Sequence, residues 1–244
     1  MIGYGGLFSL CHAVFYGIGA YVAAILMTQL DISFGVATIA AILLAVFAAL
    51  IIGIMSLRLK DDYFILFTLA FQTILFSVLY NWKDITRGPY GIYGIPRPKI
   101  FGVALESVTQ YPVFTLIVCS ICIFLLSMLY KSPFGRVAQA VRDDSIAAQS
   151  LGKNTAMIRV LVFVISAGFA AFSGVLYASY VTFIDPTSFS VEESIFFVMM
   201  VVLGGTGNTA GPFIGVVFMV LFPELLQFLP LPDVVAAHLR QMVL

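Results

Sequence analysis

Five stretches of this chain hold no Asp, Glu, Lys or Arg: Leu7 to Leu30, Ile32 to Leu57, Tyr63 to Trp82, Pro112 to Tyr130 and Val160 to Ile184. A hydrocarbon layer about 30 Å thick is crossed by about 20 apolar residues of helix at about 1.5 Å each, which is the scale of every one of these runs. Hydrophobic residues make up 61% of the 244 and charged residues 10%, against roughly half and a quarter in soluble domains. The sequence therefore predicts an all-α integral membrane protein: a polytopic bundle of about six to eight transmembrane or half-spanning helices, built as one membrane domain over 1–244. Twelve Lys and Arg balance twelve Asp and Glu, and their placement leaves no basic footprint for nucleic acid. Cys11, Cys119 and Cys122 lie within apolar runs and are too few for a disulfide framework. Cys119 and Cys122 form a C-x-x-C without the βαβ pattern of a redox motif, so neither a metal site nor a cofactor is expected in this chain.

The last third is less regular. Ser194 to Leu203 is apolar, then Leu203-Gly204-Gly205-Thr206-Gly207-Asn208 intervenes before a second run, Gly211 to Leu229. So short a helix covers about half a bilayer. Either it extends backwards through Ser190, or it is a half-helix whose unwound Gly-rich end is shielded by neighbours or faces a wet cavity. The half-helix is the reading adopted. Orientation follows from the basic residues near span ends. Lys131, Arg136, Arg142, Lys153 and Arg159 concentrate in the 131–159 connection, which is expected in the cytoplasm. Alternation then puts Arg58 and Lys60 inside. Asp31, the acidic stretch with Asp185, Glu192 and Glu193, and the 83–111 loop fall outside, the last despite Lys83, Arg87, Arg97 and Lys99.

Within the 131–159 connection, Ser132 to Arg142 reads as a short amphipathic helix, and Asp143-Asp144 as the N-cap signal of a second, over Ile146 to Leu151. Gly152 suits the left-handed position that ends it, and Lys153 sits where the helix dipole favours a cation. A two-turn helix stopped at both ends, with Ala147 and Leu151 on one face beside Ile146 and Ser150, has the form of a docking plug. The plain alternative is a solvated loop with a chance helix.

These residues resemble the permease subunits of ABC importers for branched-chain amino acids, of the LivM type. Ala147-Ala148 with Gly152 looks like the EAA loop that such permeases insert into a groove on their ATPase subunits. Ile146 stands where the general pattern has Glu, and Ser145 where members often have an acidic residue. Gly3-Tyr4-Gly5-Gly6-Leu7-Phe8-Ser9-Leu10-Cys11-His12 through Tyr21 resembles the family's first signature, which usually has Gln at Leu7 and Gly at Cys11. Thr68-Leu69-Ala70-Phe71, Gly94-Ile95-Pro96-Arg97-Pro98, Ser132-Pro133-Phe134-Gly135-Arg136 and Val202-Leu203-Gly204-Gly205-Thr206-Gly207 follow in family order. The resemblance implies a multi-pass subunit of a bacterial plasma (inner) membrane, working with two ABC ATPase subunits, a second homologous permease in a heterodimer, and an external solute-binding protein. It implies that ATP is bound by the partners. It assigns Arg136, Asp144, Ile146, Ala147, Ala148, Leu151 and Gly152 to the ATPase-coupling loop. Members usually carry further spans at both ends, so Val234 to Leu244 is expected to begin another.

For the translocation path, the candidates are Ser9, His12, Gly17, Gly19, Gly204, Gly205 and Gly207. Paired interrupted segments point to a transporter site, whereas small residues also serve plain helix packing. His12 is the ionisable residue inside a span, either a neutral histidine bonded between helices or a solute contact. Branched-chain amino acids are the family default, and urea or short amides are carried by close relatives. Two other classes compete. An ion-coupled secondary transporter needs a titrating group in the membrane, usually Asp or Glu, and the five runs have none. A membrane enzyme needs an oriented nucleophile and base, and Ser9 with His12 lacks a third group. No G-x-x-x-x-G-K-[ST] loop occurs, so the chain is expected to be no enzyme and not to hydrolyse ATP itself.

Overall fold

The computed structural model describes residues 1–56, 59, 61–100, 103–104, 109–206 and 210–228. Arg58, Lys60, Gly207 and the expected start of a span at Val234 lie outside them. Five helices are long and apolar enough to cross a membrane: α2 (His12–Gln29), α3 (Phe34–Ser56), α4 (Asp61–Asn81), α6 (Gln110–Lys131) and α9 (Thr155–Val181). Around them lie the short helices α1 (Ile2–Gly5), α5 (Lys83–Thr86), α7 (Pro133–Asp143) and α8 (Ser145–Ser150), and the pair α10 (Val191–Gly204) and α11 (Ala210–Phe228). The chain is a helical membrane protein. Two-residue strands join in two antiparallel pairs, β1 (Ile92–Tyr93) with β4 (Phe183–Ile184), and β2 (Lys99–Ile100) with β3 (Val103–Ala104).

The first apolar run departs from the expected continuous span. Helix α1 ends at Gly6, whose φ of 64° is left-handed, and the chain stays non-helical to Cys11, so the spanning helix begins at His12 and not Leu7. The other runs are helical with shifted ends. Helix α9 starts ahead of its charge-free run because Asn154 Oδ1 accepts from Met157 N at 3.0 Å, and it stops at Thr182, where φ is 61°. Helix α10 has 14 residues, about 21 Å, short of a full crossing.

The core is the trio α2, α3 and α9. In lipid, apolar area gives little drive for helix association, so close contact and dispersion must supply it. Ala37, Ala41, Ala45 and Ala49 recur every fourth residue on α3, all fully buried, with Gly53 next in register against Val160 of α9. Helices α2 and α9 run in the same direction and come closer still. A Cβ on Gly19 would collide with the Ala171 carbonyl, and one on Gly174 with the Tyr16 carbonyl.

The two ends of the bundle differ. At one, β1 pairs with β4 and Ile95 N donates to Thr182 O at 3.2 Å, so the 83–98 loop and the 182–190 segment form one cap. Burial raises the Asp185 carboxyl, but hydrogen bonds from Thr187 and Ser188 outweigh it and hold the group below its usual range, so this turn stays charged at neutral pH. The other end carries α1, α7 and α8. Tyr4 stacks on Tyr130 with centroids 4.0 Å apart, and the Arg142 guanidinium donates to the Gly3 carbonyl.

Because Gly19 meets backbone while Gly35 on α3 has open space around it, Gly19→Val and Gly35→Ala should behave oppositely. Gly19→Val forces α2 from α9 and should cost about 3 kcal/mol or more, the upper end of core overpacking. Gly35→Ala should be neutral or raise stability by about 0.5 kcal/mol. Thermal unfolding of the purified protein in detergent checks both.

Candidate translocation site and coupling helix

The 131–159 connection folds as two helices at a right-sized spacing for their caps. Ser132 Oγ accepts from Gly135 N at 3.4 Å and Pro133 occupies the first helical position of α7. Gly135, Ala138 and Val141 face inward; Gly135 lies under the Tyr130 carbonyl. Asp144 then caps α8, its Oδ1 accepting from Ile146 N and Ala147 N at 2.9 Å each. The helix covers Ser145–Ser150, one residue earlier than the Ile146 to Leu151 expected from sequence. It stops in a Schellman motif: Gly152 N donates to Gln149 O at 2.8 Å and Lys153 N to Ala148 O at 3.1 Å, with Gly152 at φ 75°. Gln149 Nε2 ties the turn to α9 through Thr155 Oγ1 at 2.8 Å.

Ile146 is 75% exposed and Leu151 80%, with Ala147 exposed between them. Ala148 is turned inward, 4% exposed. Arg136 lies earlier on α7, where its Nη1 donates to Lys131 O at 3.1 Å, apart from the α8 group.

The interrupted segments meet halfway along the bundle. Gln72 sits near the middle of α4 and is fully buried. Its Oε1 accepts from Val14 N at 3.1 Å and Ser194 Oγ at 3.2 Å; its Nε2 donates to Phe189 O at 2.8 Å and Ser190 O at 3.1 Å. All four hydrogen-bonding positions of the amide are used. Ser194 Oγ accepts in turn from Ala13 N at 3.0 Å. Ala13 and Val14 are the second and third residues of α2, the positions an N-cap side chain of the same helix ordinarily serves. Cys11 caps nothing here, so α4 and α10 cap α2 from outside. One turn earlier, Leu10 N donates to Thr68 Oγ1 at 3.2 Å and Cys11 N to Ser9 Oγ at 3.4 Å.

Ser9 is thus buried within the break, while His12 opens α2. His12 Nε2 lies 3.1 Å from Ser166 Oγ of α9, and Ser166 Oγ in turn donates to Phe163 O at 2.8 Å. Gly17 packs on the Phe189 ring and Gly19 on α9, so both sit in helix contacts. Gly205, at φ 92°, ends α10, and Gly204 lets α11 approach: Cβ atoms on Gly204, Gly211 or Gly215 would strike backbone carbonyls of the opposite helix or of the turn between them. Gly3 lies against the Thr206 carbonyl, so the segment before the first break touches the second. Gln72, Ser194 and Thr68 escape a search of the spans for ionisable groups. The available signal is that Gln72 is the one carboxamide between Tyr63 and Tyr80.

Gln72→Leu should leave Val14 N, Phe189 O and Ser190 O without partners and destabilise the subunit by about 3 kcal/mol, at about 1–3 kcal/mol for each orphaned group with partial relaxation. Ser194→Ala removes part of the same network. The double variant should therefore cost about 1 kcal/mol or more less than the sum of the singles, read from unfolding in detergent as a double-mutant cycle.

Comparison with known proteins gives this geometry a family. The sequence model described as branched-chain amino acid transport system / permease component matches residues 1–244. The high-affinity branched-chain amino acid transport system permease proteins LivM of Salmonella typhimurium and Escherichia coli are each 34% identical over 93% of this chain and 59% of their own length. A probable branched-chain amino acid transport permease protein LivM of Methanocaldococcus jannaschii is 29% identical over 93% of this chain and 70% of its own. The autoinducer 2 import system permease protein LsrC of Salmonella paratyphi B is 27% identical over 84% of this chain and 59% of its own. This chain therefore spans 59% of the length of the first two relatives. No solved structure matches. With the family model covering every residue, the chain belongs to the branched-chain amino acid transport permease family.

Proposed function

We propose that this chain is a permease subunit of a bacterial ABC importer, forming part of the translocation path for branched-chain amino acids in the inner membrane. The observation that carries the reading is α8, a six-residue helix capped at both ends that holds Ile146, Ala147 and Leu151 out to solvent. Two large aliphatic side chains on so short and rigid an element lose little entropy on docking, and a groove on another protein would bury both. In this reading the groove belongs to an ABC ATPase, one of two, and the α8 end of the bundle lies in the cytoplasm. The β1–β4 cap lies outside, towards a solute-binding protein. A second, homologous permease completes the path, and no ATP is bound by this chain. The higher identity to the LivM proteins than to LsrC favours branched-chain amino acids as the solute.

Two experiments test this. In a background without Cys11, Cys119 and Cys122, a cysteine at Tyr90, which is 82% exposed on the cap, should react with an impermeant thiol reagent added to intact cells. One at Ser150 on α8 should react only after the membrane is opened; labelling of Ser150 from outside would reverse the topology. Ala147→Trp should overfill the docking contact, at about 1–3 kcal/mol. Gly152→Val should unsettle the end of α8, since a side chain in left-handed backbone costs about 1–2 kcal/mol. Both variants should insert normally and yet lose ATPase co-purification and leucine uptake, while Gln139→Ala on α7 stays silent. Normal uptake and normal ATPase association in both would remove the coupling role.

A further inference from the structure

At the capped end, the last turn of α2 and the loop that follows α5 enclose a hollow of about 350 Å³, at the lower end of the range for small-molecule sites. Its lining includes Asp31 and Arg87, opposite in charge. Among the described residues no ion pair joins them; the Arg87 guanidinium instead lies over the Tyr93 ring, 5.2 Å from its centroid. Both residues are held in left-handed backbone, Asp31 at φ 51° and Arg87 at φ 60°. For Arg87 the conformation closes α5, its N–H donating to Lys83 O at 3.1 Å. The remaining walls are mixed: Thr28 and Gln29 are polar, while Met27 and Ile92, both buried, with Pro96 and the Tyr93 ring give an apolar part.

Charge selects the ligand class. A simple anion would meet the Asp31 carboxylate, and a simple cation the Arg87 guanidinium. An uncharged apolar molecule would strip water from two ions and return nothing to either. A molecule carrying both an ammonium and a carboxylate answers both charges at once, and a short hydrocarbon side chain has the apolar wall to rest on. We propose that this hollow is a low-affinity site for a small zwitterionic α-amino acid, with its ammonium on Asp31 and its carboxylate on Arg87. The site deepens the importer reading, on which it rests for leucine as the probe. In the orientation of that reading it lies on the outer face, beside the cap where a binding protein would release its solute. Both charged residues are exposed, so solvent screens them and a dissociation constant of about 1 mM is expected, weakening as salt is raised.

The test uses the full chain in lipid nanodiscs and equilibrium dialysis of radiolabelled leucine. Leucine should bind saturably. Leucinamide, without the carboxylate, and 4-methylpentanoate, without the ammonium, should fail to compete. Asp31→Asn removes the charge and keeps a side chain that tolerates left-handed backbone; Arg87→Gln removes the other charge. Each should weaken binding about tenfold or more, the scale of a lost charge-assisted hydrogen bond. Arg87→Lys keeps the cation but not the planar fork, so it should bind more weakly than the parent and more tightly than Arg87→Gln, which separates charge loss from misfolding. Unchanged binding in Asp31→Asn and Arg87→Gln, competition by either analogue equal to that of leucine, or no saturable binding overturns the site. Uptake by the assembled importer is measured alongside. ATP-driven leucine uptake with no binding here sinks the site and leaves the function standing. Charge-dependent binding without branched-chain amino acid uptake does the reverse.

Discussion

Inside a hydrocarbon layer every backbone N–H and C=O needs a partner from the protein, because water is not there to supply one. A continuous helix meets that demand by itself. An interrupted one exposes up to four N–H groups at the new start, each costing several kcal/mol if left bare. This chain is interrupted at 6–11 and again after Gly204, and its architecture follows from how the first of those breaks is closed. Gln72 and Ser194 donate nothing to their own helices' regularity; they serve the start of α2 and the turn leading into α10. One carboxamide therefore fixes the relative positions of α2, α4, α10 and the 186–189 turn. A hydrocarbon side chain of the same size would fill the volume and leave the backbone groups stranded.

A contiguous set of contacts runs from the exposed helix to that network. Asp144 caps α8 onto the end of α7, and Arg142 of α7 holds the Gly3 carbonyl. Gly3 touches Thr206 in the turn after α10, and the chain then passes through Gly6 to Cys11 into α2. Each step is a hydrogen bond, a cap or a backbone contact too close for a side chain. A displacement of α7 therefore reaches the segments beside both breaks as well as α9, on which α7 also packs.

The spans were legible because five charge-free apolar runs of membrane length have no place in a water-soluble fold, and the α7–α8 connection because caps are local chemistry. Asp144, Gly152 and the residues between them need only each other to form what they form. A break in the Gly-rich first segment was weighed from sequence, but its place at 6–11 was hidden for the opposite reason. Leu7, Phe8, Leu10 and Cys11 are apolar enough for a helix, and what frees them from one is Thr68, far away in sequence. Gln72 was hidden because it carries no charge, so hydropathy registers it as a small dip and a search for titrating groups passes over it. Gly17, Gly19 and Gly204 show a third limit: a glycine in a span has the same signature whether a neighbour's backbone or a solute lies beside it, and here neighbours lie there.

Packing is also unevenly shared. Helix α6 buries Tyr111 alone among its residues; it is fixed near one end by the Tyr111 hydroxyl donating to Leu176 O at 2.6 Å and near the other by the Tyr130–Tyr4 stack. Its length between them offers Leu116, Ile117, Ile121, Phe124 and Met128 outward. Helices α10 and α11 pack mainly on each other through Gly204, Gly211 and Gly215, and α10 meets the core through Ser194 and through Phe197, whose ring packs on Tyr16 of α2. A glycine-lined hairpin resists internal shear, since any slide drives carbonyls into Cα atoms. The hydrogen bonds at Ser194 join it to the core at the depth where α2 and α10 begin, through Gln72 and the Ala13 N–H.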